Sequence, residues 1–397
     1  MSLAPRWELL INGHLLPESR RRLVKSLRVD ASIDGADELV IEATAWDSKA
    51  GRGGEWRFAG EDVLAPGNLV VVRGGYGHQV VDLQRFRIMR HEVSYPESGP
   101  PTIKVRGYSA EHRMVEQRSP RSHEAATPGE VAAQLAQAHQ MYATVDTVDV
   151  SGTTAARVKK AGDSDWKWLV DLAATAGFHE PWVRWDPELD REVVHFRQLN
   201  TVVQPSGVLS FRYSSITGDT GEILSFSSAL SLAGVPTKVE VLGWDELRQE
   251  AIRVVLEITE DGQQEAIYRG GEVGKVPDAI RSGGQLQVAV LNHSDDPSEE
   301  KREVVAVETI TTTEDARDYA ARWFRTRQRA FQEGNARLIG DPRVWIGEVH
   351  RFEGLAPTDE GLWETQEVSH VFNDSGYRTD LVLSRVLEEA AEPRETA

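Results

Sequence analysis

Carboxylates and tryptophans are the side chains of this sequence that could do chemistry. The segment GDSDWKWLVDLAATAGF (162–178) places two tryptophans among three aspartates, and WDPELD (185–190) adds a further acidic cluster. Two carboxylates at a suitable separation can hydrolyse a glycosidic bond. One hypothesis is therefore a glycan-binding or glycoside-hydrolysing multidomain β-protein that acts as a monomer.

Other catalytic patterns are missing from the sequence. It contains no HExxH, Walker-type or GxSxG motif, and the absence of cysteine excludes disulfides, thiolate metal sites and cysteine nucleophiles. The glycine-rich VRGGYGHQ (72–79) lacks the residues that bind phosphate and predicts a turn between strands. His350 and His370 are predicted to be ordinary strand residues. We therefore predict no catalytic residue, no cofactor and no metal site.

The charge balance limits the partners of the protein. Forty-five basic residues face 63 acidic ones, for a net charge of −18, which argues against a general nucleic-acid binder. The chain has no run of eighteen apolar residues, so we expect no membrane insertion, and its start lacks the features of a signal peptide. We expect assembly in the cytoplasm.

One basic segment, RDYAARWFRTRQR (317–329), departs from this acidic background. It forms part of a predicted helix that begins at Thr311, turns Ala316, Ala320, Trp323 and Phe324 inward, and stops at Gly334. Its arginines are candidates for contact with an acidic neighbouring subunit, although a solvated helix face explains them equally well. These candidate interface residues are Arg317, Arg322, Arg325, Arg327 and Arg329.

The elements that would position such residues are mostly strands. LVKSLRVDASI (23–33) alternates apolar and polar residues with the period of a half-buried strand, and similar short runs recur along the chain. A helix is predicted from Thr127, because Pro128 and Glu130 complete a capping-box spacing. Its expected buried face is formed by four residues, namely Val131, Leu135, Ala138 and Tyr142.

The tryptophan-rich segment predicts a further helix, capped by Asp163 or Ser164 and ended by Gly177. Trp166 lies on its apolar face together with Leu169, Val170 and Ala173. Trp168 points towards the other side, where it would cover a neighbouring element or a partner surface, and it is a candidate interface residue as an exposed anchor. The segment by itself does not require catalysis.

An internal repeat is the most informative feature. VSYPESGPPTIKV (93–105) and HVFNDSGYRTDLV (370–382) align without gaps, and each predicts a strand, an acidic Ser-Gly turn and a second strand. Upstream, APGNLVVVRGG (65–75) and GDPRVWIGEVH (340–350) both resemble a turn that leads into a short apolar strand. The pattern predicts two related β-domains in one chain.

We therefore predict a mainly β protein with α+β parts: two related antiparallel, tube-like β-barrel domains, a smaller α/β domain and an inserted β subdomain. The predicted boundaries are 1–117 for the first barrel, 118–200 for the α/β domain, 201–250 with 304–388 for the second barrel, 251–303 for the insertion and 389–397 for a disordered tail.

The order of these segments resembles the late-control D family of phage proteins. That family includes the baseplate hubs of contractile tails and the hub-like N-terminal part of type VI secretion VgrG proteins. The resemblance rests on TIKVRGYSAEHRM (102–114), the Thr-Pro-capped helix, DSDWKWLVDLAATAGF (163–178), and an ending of arginine-rich helix, GDPRVWIGEVHRF (340–352) and GLWETQEVSHVFNDSGYRTDLVLSRV (361–386). It covers nearly the whole chain except 251–303.

The resemblance implies a structural rather than a catalytic role. In such a family, three chains with two barrels each form a ring of six that joins the hexameric inner tube to a trimeric spike and leaves a central channel. The expected partners are further copies of the chain, the inner tube protein, the spike and other baseplate components. Because this sequence lacks the OB-fold and β-helix of VgrG-type chains, we expect the spike to be a separate polypeptide.

Overall fold

The computed structural model is mainly β, with large antiparallel sheets and few helices, as the sequence predicts. It describes residues 4–33, 35–50, 53–123, 127–145, 157–159, 161–176, 181–196, 208–213, 221–230, 238–245, 248–258, 264–265, 267–269, 272–274, 302–306, 312–313, 316–317, 319–320, 323 and 332–386.

The N-terminal part contains nine strands. They are β1 (Pro5–Ile11), β2 (His14–Leu15), β3 (Val24–Ser32), β4 (Glu38–Thr44), β5 (Trp46–Asp47), β6 (Glu55–Trp56), β7 (Leu69–Tyr76), β8 (Gln79–Ser94) and β9 (Thr102–Tyr108), with helix α1 (Glu18–Arg21) and a 3-10 turn (Asp62–Leu64) between them. The alternation predicted for β3 is confirmed, because Leu27, Val29 and Ala31 are buried. The glycine-rich segment forms the β7–β8 turn, also as predicted.

A smaller α/β unit follows. Its elements are α2 (Glu111–Glu116), β10 (Ser122–His123), α3 (Pro128–Ala138), β11 (Tyr142–Val145), β12 (Arg157–Val158), α4 (Asp165–Ala176), β13 (Trp182–Asp186) and β14 (Arg191–Phe196). β11, β14 and β13 form a three-stranded sheet, and residues of all three long helices share a core with it. The predicted capping box is present, since Thr127 Oγ1 accepts from the Glu130 amide and the Glu130 carboxylate accepts from the Thr127 amide.

The buried face of α3 differs in part from the prediction. Val131 and Leu135 are buried, as expected, but Ala138 is exposed and Tyr142 is 45% exposed. The helix ends at Ala138, so the 3.6-residue period does not extend to Tyr142, which belongs to a strand.

The C-terminal part contains twelve strands among the described residues. They are β15 (Leu209–Arg212), β16 (Ile223–Leu230), β17 (Lys238–Asp245), β18 (Glu250–Ile258), β19 (Gln264–Glu265), β20 (Ile267–Arg269), β21 (Glu272–Gly274), β22 (Arg302–Ala306), β23 (Gln332–Ile339), β24 (Val349–Glu353), β25 (Gly361–Asn373) and β26 (Gly376–Arg385). In the predicted third helix, Ala316 and Ala320 are buried, and Phe324 lies outside the described residues. Gly334 does not end that helix, because it lies within β23.

One strand assigned to the second barrel lies elsewhere. Strand β17 pairs with β18 and β22 in a four-stranded sheet that also includes β19. Its Val239 and Val241 pack against Ala316 and Tyr319 rather than against the main core. The other boundaries stay predictions, and the 389–397 tail lies outside the described residues.

The main sheet contains two units with the same strand order. Along the sheet the order is β16-β23-β26-β25-β3-β4-β9-β8-β7-β1-β2, while β24 pairs with β25 and β15 with β24. We call β3, β4, β9, β8 and β7 the first unit, and β16, β23, β26, β25 and β24 the second unit. Within each unit the five strands have the same pairing partners.

The two units also share their irregularities. The β8–β9 ladder skips Met89 and the β25–β26 ladder skips Gln366, which lies 277 residues later. The β3–β4 ladder skips Lys25, and the β16–β23 ladder skips Leu224 in the equivalent position. Because β-bulges are specific features of a sheet rather than defects, their recurrence indicates a structural duplication.

The hairpins predicted from the internal repeat are confirmed, but the gap-free alignment holds only for their first strands. Val93 pairs with Ile103, whereas its counterpart His370 pairs with Thr379. Thr379 therefore matches Ile103 rather than Thr102. A one-residue shift moves a side chain to the other face of a strand, which explains why Thr379 is buried.

The upstream pair of segments aligns differently from the prediction. Leu69 pairs with Arg87 and Val349 pairs with Glu364, so β7 matches a segment that starts nine residues after Gly340. The apolar residues Val344 to Ile346 are buried but do not form a strand.

The units join side by side within the chain. β25 pairs antiparallel with β3, from Glu367 opposite Ser32 to Asn373 opposite Ser26. Both units contribute to one hydrophobic core. Packing across it is tight, because a Cβ at Gly74 would lie 2.6 Å from the Phe372 ring. We call the β25–β3 pairing the internal junction.

Candidate assembly surfaces

The residues predicted to form interfaces are only partly described by the structure. Arg317 is partly buried, whereas Arg322, Arg325, Arg327 and Arg329 lie outside the described residues. Trp168 is only 7% exposed, so the prediction of an exposed anchor is wrong. Both tryptophans of α4 are buried because the helix packs against α2 and α3 in the core of the α/β unit.

A buried carboxyl pair attaches the α/β unit to the first unit of the main sheet. Asp37 and Glu111 are both fully buried. Glu111 Oε1 accepts from the Val183 amide at 2.9 Å, and its Oε2 accepts from the Ser109 hydroxyl. Gln84 of β8 donates to Asp37 Oδ2 at 2.7 Å. The same Gln84 side chain bonds β13 twice, because it donates to the Val183 carbonyl at 3.0 Å and accepts from the Trp185 amide at 2.8 Å.

Burial perturbs both acids. Desolvation raises the pKa of Glu111 to about 7, against the hydrogen bonds from Ser109 and the backbone. Desolvation and the neighbouring Glu111 charge raise the pKa of Asp37 well above its ordinary value. Perturbed carboxyls are a mark of active sites, but these two are enclosed, and Asp37 Oδ2 and both Glu111 oxygens accept hydrogen bonds from the protein itself. Their arrangement fits a clamp between two parts of the chain rather than a glycosidase site.

Strand β13 contacts both units of the main sheet. On the side of the first unit, Arg85 pairs with Glu192 at 2.6 Å and lies 3.8 Å from the centre of the Trp185 ring. On the side of the second unit, Arg184 pairs with Glu348 at 3.0 Å. The α/β unit therefore braces both halves of the chain.

A second buried charge cluster lies inside the α/β unit. Asp165, the first residue of α4, is fully buried and accepts from Lys159 Nζ at 2.5 Å. His139 Nε2 lies 2.8 Å and Arg121 Nε 3.1 Å from its other oxygen. Ser164 caps the helix by accepting from the Lys167 amide, as predicted. These contacts fix the start of α4 and occupy the carboxylate of Asp165, one of the three aspartates in the tryptophan-rich segment.

An open groove of about 520 Å³ lies on the outer face of the sheet at the internal junction. Its two aspartates are held by arginines: Asp30 pairs with Arg28 of the same strand at 2.8 Å, and Asp380 pairs with Arg337 of the neighbouring strand at 2.7 Å. Burial raises the pKa of Asp30. Such ion pairs are typical of a polar sheet face.

The two predicted strand histidines are buried. His370 has Nε2 3.1 Å from the Val344 carbonyl and Nδ1 2.9 Å from the Tyr377 hydroxyl. Desolvation lowers the pKa of His370 and of His350 to about 4 each. Among the described residues, no group of three or more His, Cys, Asp or Glu side chains could hold a metal ion.

The main sheet has several strands with an unpaired side among the described residues, and besides those of β2 and β15 these include β16 and the end of β8. β16 pairs with β23 on one side only. β8 pairs with β7 up to Arg87, and Ile88 still bonds Asn68 and Gly67, but no described strand lies beside Arg90 to Ser94 opposite β9. The sequence reasoning did not identify β16, because its serine-rich stretch ILSFSSAL lacks a clear alternation. Its similarity to β3 becomes visible only once the bulge at Leu224 is known.

Comparisons with known proteins agree with a tail-protein fold. The family model of the Alg8 N-terminal domain matches residues 4–373. No curated protein matches the sequence. Within the described residues, no helix has the length and apolarity needed to span a bilayer.

Three solved structures share the fold over most of the chain. The tail protein from Neisseria meningitidis MC58 has a TM-score of 0.65 at 12% identity, covering 96% of this chain and 97% of its own. The 43 kDa tail protein of prophage MuSo2 from Shewanella oneidensis has a TM-score of 0.62 at 14% identity, covering 96% and 98%. An Escherichia coli component of the type VI secretion system, described as similar to phage T4 tail proteins gp27 and gp5, has a TM-score of 0.50 at 10% identity, covering 93% and 74%.

Proposed function

We propose, from the tail-protein fold, that the protein is a structural baseplate hub of a contractile phage tail or phage-tail-like injection system. By sequence, the chain belongs to the Alg8 N-terminal domain family. Three copies form a ring of six sheet units that joins the hexameric inner tube to a separate trimeric spike and encloses a channel. The role needs no catalytic residue. The protein is assembled in the cytoplasm and becomes part of a virion or particle baseplate, as a member of the late-control D group of hubs.

The observation that carries this proposal is the duplicated unit. Both units have the same strand order and bulges at equivalent positions. Two equivalent units per chain let a threefold assembly present six similar positions, which is a physical solution to the mismatch between a hexameric tube and a trimeric spike. A monomeric glycan-binding enzyme does not require such a duplication.

The negative net charge of −18 is compatible with a channel. Acidic side chains that face the bore would repel DNA and acidic protein cargo. A basic or neutral bore in the assembled ring would contradict this part of the proposal.

The test is the mass and shape of the full-length protein in solution. We expect native mass spectrometry to give three chains and negative-stain images to show a threefold ring with a central hole. A particle that stays monomeric, alone and in the presence of the tube and spike proteins, would overturn the hub assignment and favour the glycan-directed alternative.

The arginine-rich helix is the proposed electrostatic contact of this assembly. Reversing the charge at Arg322 and Arg325 with glutamate should lower trimer yield or tube docking, because it removes attraction to an acidic neighbour. The matched control is Arg248→Glu, at a residue whose side chain is 60% exposed in the β17–β18 turn. Unchanged assembly by mass measurement in the double variant would reject the contact.

A further inference from the structure

We infer that the open edge of β8 in one copy of the chain pairs with the open edge of β16 in the next copy. The edge of β8 from Arg90 to Tyr95 of one copy receives β16, Ile223–Leu230, of the next copy in antiparallel orientation. The internal junction between β25 and β3 is the template for this contact, because β25 is equivalent to β8 and β3 is equivalent to β16. The inference rests on the proposed function only for the number of chains in the ring.

The equivalence fixes the register. β8 maps onto β25 with an offset of 277, since Ile88 and Thr365 both precede the bulge and both exchange hydrogen bonds with a glycine and its successor. β3 maps onto β16 with an offset of 199, since Val24 and Ile223 both precede the bulge.

Applying the two offsets to the internal junction gives the pairs between copies. Ser369 opposite Asp30 becomes Glu92 opposite Ala229, and Phe372 opposite Leu27 becomes Tyr95 opposite Phe226. Five of the seven template pairs map within the two edges, namely His91 with Leu230, Glu92 with Ala229, Val93 with Ser228, Ser94 with Ser227, and Tyr95 with Phe226.

The exposure of these residues supports the contact. Tyr95 is 68% exposed, whereas its counterpart Phe372 is 2% exposed within the internal junction. Leu230 is 59% exposed, whereas its counterpart Ala31 is 2% exposed. Tyr95 and Leu230, which would face the core in a second junction, are therefore left open in the single chain, and pairing would cover them.

The β16 edge lacks the usual protection against pairing. Exposed edge strands commonly carry lysine, proline or inward-pointing charges that prevent association. β16 contains no charged residue and no proline along its eight residues. The β8 edge does carry charges, but Arg90 and Glu92 pair with each other at 2.5 Å, and Tyr95 is held at the end of this edge by an edge-to-face contact with Trp56, at 6.0 Å between ring centres. The uncharged β16 is therefore the strand that a neighbouring edge can accept.

The contact is heterologous, because one edge of a chain meets a different edge of the next. Such contacts repeat until the chains close into a ring or continue as a filament. The internal junction joins two units at a fixed angle. An equivalent junction between chains therefore repeats the same rotation from one unit to the next. Closure at six units then takes three chains.

The cysteine-free chain allows a direct test by disulfide cross-linking. Glu92→Cys with Ala229→Cys changes two exposed positions whose template side chains, Ser369 and Asp30, are hydrogen-bonded to each other. We expect oxidation of the assembled protein to link neighbouring chains into dimers and trimers on a denaturing gel. In the matched control, Glu92→Cys with Ser228→Cys, the second thiol faces the other side of the strand and should remain unlinked.

The oligomeric state of each variant is read separately by native mass, and its folding by circular dichroism. Three-chain particles that cross-link equally poorly with both pairs would overturn the inferred edge contact while leaving the hub function intact. A link within one chain, or equal linking in the control, would also overturn it. Specific linking in rings of another copy number would support the contact and reject the proposed trimer.

Discussion

The ionisation of Glu111 should make the stability of this protein fall as the pH rises. Glu111→Gln is the perturbation, because the amide keeps the size of the side chain and an acceptor for the Val183 amide but cannot ionise. Burial raises the pKa of Glu111 from 4.5 to about 7. At ~1.4 kcal/mol per pKa unit this is about 3 kcal/mol between the two protonation states.

The sign follows from proton uptake. Between pH 4.5 and about 7, the folded protein holds a proton on Glu111 that the unfolded chain has released. The stabilisation is complete below the unfolded pKa and is lost as the pH rises through the folded pKa. The native protein should therefore lose about 3 kcal/mol across this window relative to Glu111→Gln.

The assay is urea unfolding at a series of pH values from 4 to 8, chosen to span the window. Because the Glu111 charge also raises the pKa of Asp37, the difference between the two curves measures the ionisation of Glu111 together with its effect on Asp37. The control is Glu116→Gln on the same helix, where the carboxylate is 64% exposed and the change should have little effect. If the native protein and Glu111→Gln show parallel pH curves, the burial argument is wrong.

Two further substitutions test the packing. Asp165→Asn leaves the fully buried Lys159 without its counter-ion and should lower the free energy of unfolding in urea by about 3–5 kcal/mol. The control Asp163→Asn should lower it by less than about 1 kcal/mol. Equal effects of the two substitutions would refute the buried cluster. Gly340→Ala places a Cβ 2.2 Å from the Tyr377 ring, and this overpacking should cost about 1–3 kcal/mol. The control is Gly35→Ala, where nothing lies within 4 Å, and a neutral Gly340→Ala would contradict the packing.

Local patterns predicted much of the fold. The capping box at Thr127 and the alternation along 23–33 depend on neighbours in sequence, and both appear as expected. The repeated hairpin was also visible, because its turn residues recur. The one-residue offset between Ile103 and Thr379 was not visible, since the longer turn of the first copy shifts its second strand without changing its composition.

The assembly surfaces were harder to predict than the fold. Trp168 looked exposed on a helical projection, but a helix that packs against two other helices buries more than one face. β16 was missed because ILSFSSAL combines a bulge with serines, which hides the two-residue period. Its meaning emerges only by comparison with β3, which lies 199 residues earlier and already has a partner.

The hairpin turns of the two units differ in length. Residues 95–101 connect β8 to β9, whereas only Asp374 and Ser375 connect β25 to β26. The difference is one of pairing more than of length, because the second hairpin stays paired up to Asn373 and Gly376 where the first has already left its ladder. In a closed ring, unpaired and paired hairpin tips would alternate around one rim, so that rim would repeat three times although the strands beneath it repeat six times.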